Sequence, residues 1–176
     1  MTAKTAKKTT TKPKTVRVAK LPELPLKPFA FEIFDLASKQ RSKAKKVEVL
    51  QKYSDLSLKI VLKWNFDTSI TSALPEGEVP YTGYDQQTTK GGTLTTKISQ
   101  EVRRMHESGS FSLGSSDQEG HTTIRRETMF INILEGLHPL EAEIVVLVKD
   151  GKLEDRYKIT KDVVAEAFPD IVWGDA

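Results

Sequence analysis

The chain has 176 residues, of which 38% are hydrophobic, a formal net charge of +3 and no cysteine. This length suits one globular domain with a tail and long loops, and the lack of cysteine excludes a disulfide framework, a thiolate metal site and a cysteine nucleophile. No apolar stretch approaches the roughly 20 residues that span a bilayer, and the Lys/Thr-rich N-terminus lacks the apolar segment of a secretory signal. We therefore expect a soluble cytoplasmic protein without a membrane partner.

The positive charge is concentrated near the N-terminus. Residues 1–46 hold 13 Lys/Arg against 3 Asp/Glu, a balance of +10, whereas residues 47–176 hold 14 against 21, a balance of −7. The calculated pI of about 9.0 therefore hides a basic N-terminal region joined to a mildly acidic body.

Residues 1–20 contain seven positive side chains, six threonines and no acid, a composition that predicts a disordered arm. Clustered cations displace the counterions of phosphates without sequence preference, so the arm is a candidate for binding DNA. The candidate residues are Lys4, Lys7, Lys8, Lys12, Lys14, Arg17 and Lys20. A solubilising tail is an equally good interpretation, and the arm has no aromatic residue that could stack on bases.

The next segment, LPELPLKP, has a proline at every third position (Pro22, Pro25 and Pro28), which predicts a stiff polyproline II spacer. Such a segment could also occupy an aromatic-lined groove of a partner, although a spacer is the commoner role. We therefore divide the chain into an arm and spacer over residues 1–28 and a helical domain over residues 29–176.

Three helices are predicted in the first half of the domain. The first begins near Phe29, with Ile33, Leu36 and Ala37 on the same face, and the second is capped by Ser42 and runs to about Lys52 with Val47, Leu50 and Tyr53 inward. The segment after Asp55 is ambiguous, because its apolar residues also alternate with the period of a strand. The capping aspartate and the helical neighbours favour a helix from Asp55 to Phe66.

Two long loops interrupt the second half, near residues 75–92 and 108–121, where Gly, Pro and Ser are frequent. Between them lies a basic amphipathic stretch in which Leu94, Ile98, Val102 and Met105 share a face. Its Arg103 and Arg104, together with Lys97, could extend the basic surface, as could Arg125 and Arg126. A solvated helix face is the commoner explanation for such cations.

The stretch from Ile124 to Leu153 predicts an αα-hairpin. Thr122 or Thr123 caps a helix with an apolar stripe of Phe130, Ile133, Leu134 and Leu137; Gly136 stands near its end and Pro139 in the first turn of the next helix. In that second helix we expect Leu140, Ile144, Leu147 and Val148 to face inward. A DNA-reading helix-turn-helix is disfavoured, because Glu141 and Glu143 at the start of the second helix would repel phosphate.

The C-terminal region predicts one more helix, TKDVVAEAF, capped by Thr160, with Ile159 packed on Val164 and Pro169 after its end. The last residues, PDIVWGDA, place Ile171, Val172 and Trp173 between acids. These three residues either pack back on the core, which we favour, or dock into a partner with Trp173 as an aromatic anchor.

No residue pattern indicates catalysis. The chain lacks a GxSxG motif, a Walker A motif and a dinucleotide-binding fingerprint, and its Asp and Glu residues form no evident catalytic pair. Asp117, Glu119 and His121 alternate within a loop, without the spacing of a zinc or calcium site. We predict no catalytic residue, no metal and no cofactor, and His138 is interpreted as a turn residue.

Four segments carry a family resemblance: KAKKVEVLQKYSDLSLKIVLKWNFD, LPEGEVPY, IRRETMFINILEGLHPLEAEIVVLVKD and KITKDVVAEAFPDI. In this order they resemble an uncharacterised family of small proteins from T4-like bacteriophages, including phages of marine bacteria. The resemblance covers most of residues 29–171, implies a phage context and a helix over Asp55 to Phe66, and implies no active site. The basic arm and the Ser/Gly-rich linker near residues 108–120 depart from the family pattern.

We therefore expect an all-α domain of about five to seven helices with an αα-hairpin core, preceded by a disordered basic arm. The leading functional hypothesis is a non-enzymatic phage protein attached to nucleic acid or a nucleoprotein complex through the arm, in the host cytoplasm. The alternative is a virion structural or adaptor protein that docks onto other phage proteins through its arm and C-terminal end. The sequence leaves the oligomeric state open.

Overall fold

The computed structural model describes residues 21–83, 96–107 and 123–174, with side chains except for residues 103–107. This part of the chain is helical and contains no β-strand, which confirms the predicted all-α class. The eight helices are α1 (Ala30–Ser38), α2 (Lys43–Lys52), α3 (Leu56–Phe66), α4 (Ile98–Glu107), α5 (Thr123–Gly136), α6 (Pro139–Lys149), α7 (Leu153–Tyr157) and α8 (Lys161–Ala167). The described residues thus contain one helix more than the predicted five to seven, and the five-residue α7 was not predicted.

The helix starts follow local signals in the sequence. Ser42 Oγ accepts a hydrogen bond from Lys45 N at 3.3 Å, and Asp55 Oδ1 accepts one from Leu56 N at 2.8 Å. Both oxygens satisfy N–H groups that the first turn of a helix leaves without a partner. The ambiguous segment after Asp55 is therefore helix α3, as predicted.

The buried face of α3 explains why strand-like alternation was misleading. Leu58, Val61 and Leu62 are buried at helical spacing, whereas Leu56, which belongs to the alternating series, is 70% exposed. The apolar residues of α3 cover more than one face because the helix packs between α4 and α6. A helix covered on two sides carries apolar residues beyond a single stripe, so alternating positions can also be apolar.

Helices α5 and α6 form the predicted hairpin, with Gly136 at the end of α5 and Pro139 at the start of α6. The stripe Phe130, Ile133, Leu134 and Leu137 is buried, as predicted. The predicted inward face of α6 is wrong in part. Leu140 is 39% exposed and Leu147 only partly buried, while Ala142 and Val145 are buried beside Ile144 and Val148. Because most of α6 is apolar, its periodicity did not identify the side that faces α1, α3 and α5.

The remaining helices complete a single hydrophobic core. Helix α2 packs between α1 and α8, and α7 packs against α1 and α6. In α7, Leu153 and Tyr157 are buried, and Leu153 N donates a hydrogen bond to Asn65 Oδ1 of α3 at 3.0 Å. Thr160 is the N-cap residue of α8, as predicted, but its side chain makes no capping hydrogen bond.

The spacer and the first long loop are attached to the domain by specific contacts. Leu21 and Leu24 pack against the core, and Leu24 N donates a hydrogen bond to the Tyr53 hydroxyl at 2.9 Å. The buried Lys149 donates to Pro75 O at 2.7 Å and pairs with Asp150, whose Oδ2 accepts from Gly77 N at 3.1 Å. Predicted loop residues 84–92 and the linker over residues 108–121 lie outside the described residues.

None of the helices in the described ranges is both long enough and apolar enough to cross a bilayer.

Candidate functional site

A cleft of about 550 Å³ opens where the start of α1, the end of α2 and the starts of α3 and α4 meet. We call it the lysine cleft, because Lys27, Lys52 and Lys97 all line it. Lys27 comes from the spacer, Lys52 is the last residue of α2, and Lys97 directly precedes α4. The fold therefore gathers cations from three distant parts of the sequence at one opening.

Lys97 occupies a fixed position in this cleft. Its Nζ donates a hydrogen bond to the carbonyl of Lys27 at 2.5 Å and lies 4.2 Å from the centroid of the Phe29 ring. A cation over an aromatic face is attracted to the ring electrons. Lys97 thereby ties the start of α4 to the end of the spacer. Lys52 Nζ lies 5.3 Å from the centroid of the Tyr53 ring.

Glu141 forms part of the cleft wall and is fully buried. Its Oε2 accepts from Ile98 N of α4 at 2.8 Å, and its Oε1 from Phe31 N of α1 at 3.3 Å. It stands in the first turn of α6, so one carboxylate satisfies N–H groups at the starts of two other helices. Burial raises the pKa of Glu141, and the donated N–H bonds and Lys97 oppose that rise.

This position corrects the sequence interpretation of Glu141. We expected an acid exposed at the start of a helix, where it would repel phosphate. It is instead enclosed and hydrogen-bonded inside the domain, and Glu143, two residues on, is only half-buried. Of the two carboxylates expected to repel phosphate at the start of α6, only Glu143 therefore remains near the surface. No signal near Glu141 in the sequence predicted its burial, because its donors, Phe31 and Ile98, are distant in the chain.

Asp55, the other acid of the cleft, is likewise engaged. Its Oδ1 caps α3 through Leu56 N, and its Oδ2 accepts from the Ser57 hydroxyl. Both carboxylates that line the cleft thus accept hydrogen bonds from backbone N–H groups at the N-termini of helices. The three lysines outnumber these two acids, so the lining carries a net positive charge.

An aromatic cluster adjoins the cleft. The rings of Phe29, Phe31 and His138 lie with centroids 5.0–5.3 Å apart, and Lys97 approaches the Phe29 ring. His138 lies in the turn between α5 and α6, as predicted, and its Nδ1 accepts from Leu140 N at 3.2 Å. The cluster fixes the hairpin turn against the start of α1.

The predicted nucleic-acid-binding residues are placed only in part. The arm residues Lys4, Lys7, Lys8, Lys12, Lys14, Arg17 and Lys20 lie outside the described residues. Arg103 and Arg104 belong to α4, whose first residues line the lysine cleft, and the structure describes their backbone alone. The arm joins the described chain at Leu21, just before Leu24 contacts the cleft residue Tyr53.

The C-terminal segment packs back on the domain. Ile171 and Trp173 are half-buried against the core, whereas Val172 is 77% exposed. Lys63 Nζ donates to the Val172 carbonyl, and Lys161 Nζ lies 5.0 Å from the centroid of a Trp173 ring. Of the three predicted docking residues, two therefore pack their side chains on their own domain, and Val172 contacts it through its carbonyl only.

Asp67 holds the end of this segment. Its Oδ2 accepts from Gly174 N at 2.9 Å, and its Oδ1 accepts from Ser69 N at 3.0 Å and from the Ser69 hydroxyl at 2.6 Å. Burial alone would raise the pKa of Asp67, but these hydrogen bonds and Lys63 outweigh burial and lower the pKa to about 2. The segment is thus fastened to an ionised carboxylate at neutral pH.

Among the described residues, no group of three or more metal-ligating side chains lies close enough to hold a metal ion. The loop acids Asp117 and Glu119, with His121, fall outside those residues.

These features define an all-α protein with a lysine-lined cleft next to the origin of a basic arm. Residues 33–155 match the model of a family described as "Family of unknown function (DUF6433)", and the chain belongs to this family. No curated protein and no solved structure matches the chain.

Proposed function

We propose that the protein is a non-enzymatic phage protein that associates with nucleic acid, or with a nucleoprotein complex, through its basic N-terminal arm. The arm supplies seven cations and no acid, which favours contact with phosphates without sequence preference. The phage context is supported by the sequence resemblance alone.

The main support for this proposal is the position at which the arm joins the domain. The Leu24 N–Tyr53 hydroxyl bond and the packing of Leu21 hold the start of the described chain beside the lysine cleft. A phosphate backbone that contacts the arm would therefore meet further cations on the domain. The net charge of −7 over residues 47–176 disfavours contact with much of the remaining surface.

The proposal is tested by measuring the affinity for labelled duplex DNA as a function of salt, with the whole protein and with a variant lacking residues 1–20. If all seven arm cations contact phosphate, the slope of log affinity against log salt approaches about 6 in magnitude. We expect the truncated protein to lose most of this slope and most of the affinity.

A matched variant separates charge from chain length. Replacing the seven arm cations by glutamine should weaken binding as much as the deletion, whereas replacing the six arm threonines by serine should leave it unchanged. Full binding by the glutamine variant would refute the role of the arm. The DNA contacts would then be sought at Arg103 and Arg104 or at Arg125 and Arg126.

A second candidate is the virion structural or adaptor role. In that role Leu26, which is 98% exposed, and Val172, which is 77% exposed, would contact a protein partner from near the two ends of the described chain. Mass spectrometry of purified phage particles tests it directly. A fixed copy number in the particle would favour this role, and absence from the particle would exclude it.

A further inference from the structure

The lysine cleft presents donors, because its side-chain acceptors are largely occupied. Both oxygens of Asp55 and of Glu141 accept hydrogen bonds from their own domain. The side-chain oxygen of Gln100 accepts from Lys97 N at 2.9 Å, and the Tyr53 oxygen accepts from Leu24 N.

Six side-chain donors of the cleft have no acceptor among the described residues: the ammonium groups of Lys27 and Lys52, the Tyr53 hydroxyl proton, the side-chain amide nitrogen of Gln100 and the hydroxyls of Ser54 and Ser99. Two of the six are charged. A ligand that satisfies them must be rich in acceptors and negative, and a phosphate group meets both requirements.

The volume of the cleft indicates how large the ligand can be. About 550 Å³ falls within the range of small-molecule pockets and exceeds the space that a single phosphate needs. The cleft therefore has room for the sugar atoms on either side of a phosphodiester. Lys27 lies only seven residues after Lys20, the last cation of the arm, so one strand can reach both.

We infer that the lysine cleft binds one phosphate group of a nucleic-acid backbone, with Lys27 and Lys52 as its charged ligands and Tyr53 and Gln100 as neutral donors. The choice of nucleic acid as the source of the phosphate rests on the proposed function, whereas the phosphate chemistry follows from the cleft itself. The arm and the cleft would then form two contacts to one strand.

The first experiment titrates the isotope-labelled whole protein with inorganic phosphate at constant ionic strength and follows the backbone amide resonances. We expect the largest shifts at the cleft residues Ser54, Ser99 and Gln100. The double variant Lys27→Gln/Lys52→Gln should abolish them. It leaves the Lys27 carbonyl, which accepts from Lys97, in place.

The matched control is Lys45→Gln/Lys158→Gln, which removes the same charge from residues that do not line the cleft. It should leave the phosphate shifts intact. Shifts that are scattered over the surface, or equally reduced in both double variants, would overturn the inference.

The second experiment repeats the titration with a short oligonucleotide and measures the salt dependence of binding. Loss of the contact to one phosphate should reduce the slope of log affinity against log salt by about 1 in the cleft variant and not in the control. If the whole protein binds the oligonucleotide but the cleft amides do not respond, the cleft inference fails and the proposed function stands. If inorganic phosphate shifts the cleft amides and the oligonucleotide does not bind, the phosphate chemistry stands, and both the nucleic-acid source and the proposed function are refuted.

Discussion

Substitution of Glu141 by glutamine tests whether one buried carboxylate joins three helices. The side chain is fully buried, and its two oxygens accept from different helices, from Ile98 N of α4 and Phe31 N of α1. Glutamine keeps one acceptor oxygen, and its amide nitrogen must face the other N–H. The substitution therefore breaks one bond and leaves both a backbone donor and the new amide without an acceptor.

The expected loss follows from these groups. Each buried polar group without a partner costs about 1–3 kcal/mol, so two cost about 2–6 kcal/mol. Removal of the buried charge recovers part of the cost of burial, and we expect a net loss of about 2–4 kcal/mol. Small domains are stable by only about 5–15 kcal/mol, so urea unfolding followed by circular dichroism resolves such a change easily.

Glu143→Gln is the matched control, because this half-exposed side chain only accepts from Arg156 Nε at 3.3 Å near the surface. It should cost less than about 1 kcal/mol. Equal losses in the two variants, or a loss below about 1 kcal/mol for Glu141→Gln, would refute the proposed joint.

The pH dependence of the same variant tests the direction of the pKa shift. Burial raises the pKa of Glu141 in the folded protein, so the folded state binds its proton more readily than the unfolded state. The contribution of this residue to stability is therefore greatest below its unfolded pKa and falls as the pH rises through its folded pKa. The stability gap between the natural protein and Glu141→Gln should narrow as the pH rises. A gap that widens would mean that the donated hydrogen bonds outweigh burial.

Three further predictions concern the core and the C-terminal segment. Leu134→Ala, at a fully buried position, should cost about 2–5 kcal/mol in urea unfolding, whereas Arg125→Ala, at an exposed position, should cost under about 1 kcal/mol; equal small losses would show that the buried stripe of α5 is misplaced. Removal of residues 171–176 should lower the midpoint of thermal unfolding. In a Trp64→Phe background, the fluorescence of Trp173 should be blue-shifted, as expected for a partly buried indole. A solvated Trp173 together with unchanged stability of the truncated protein would favour the adaptor role. Because the pKa of Asp67 is lowered to about 2, its contribution to stability, about 2–2.5 kcal/mol, should be present above its unfolded pKa and disappear as the pH falls towards 2, together with the blue shift of Trp173. An Asp67→Asn variant should lack this transition.

The sequence predicted those parts of the fold that depend on neighbouring residues. Ser42, Asp55 and Pro139 each mark a helix start, because capping and the fixed proline backbone act within one turn. The stripe of α5 was correct because one side of that helix is apolar. In α6, where apolar residues surround the helix, the same method placed Leu140 on the wrong side.

The lysine cleft could not be predicted in this way. Lys27, Lys52 and Lys97 are spread over some 70 positions, and the contacts that bring them together involve Glu141 and Tyr53. Lys149 illustrates the same limit, because a lysine in the last turn of a helix ordinarily faces solvent, and this one is buried against Pro75 and Asp150. A sequence shows which residues are charged, but whether a charged side chain faces solvent depends on contacts between distant segments.

The buried position of Glu141 reconciles an acidic body with a phosphate-binding cleft. A free carboxylate beside Lys52 and Lys97 would compete with phosphate for the lysines. Here Glu141 is directed to Ile98 N and Phe31 N, and Asp55 to Leu56 N and the Ser57 hydroxyl, so each acid offsets the positive end of a helix. The lysines are left as the groups available to a ligand. Asp55 and Glu141 therefore lower the net charge of the domain and line the cleft, but they do not compete with a ligand for its lysines.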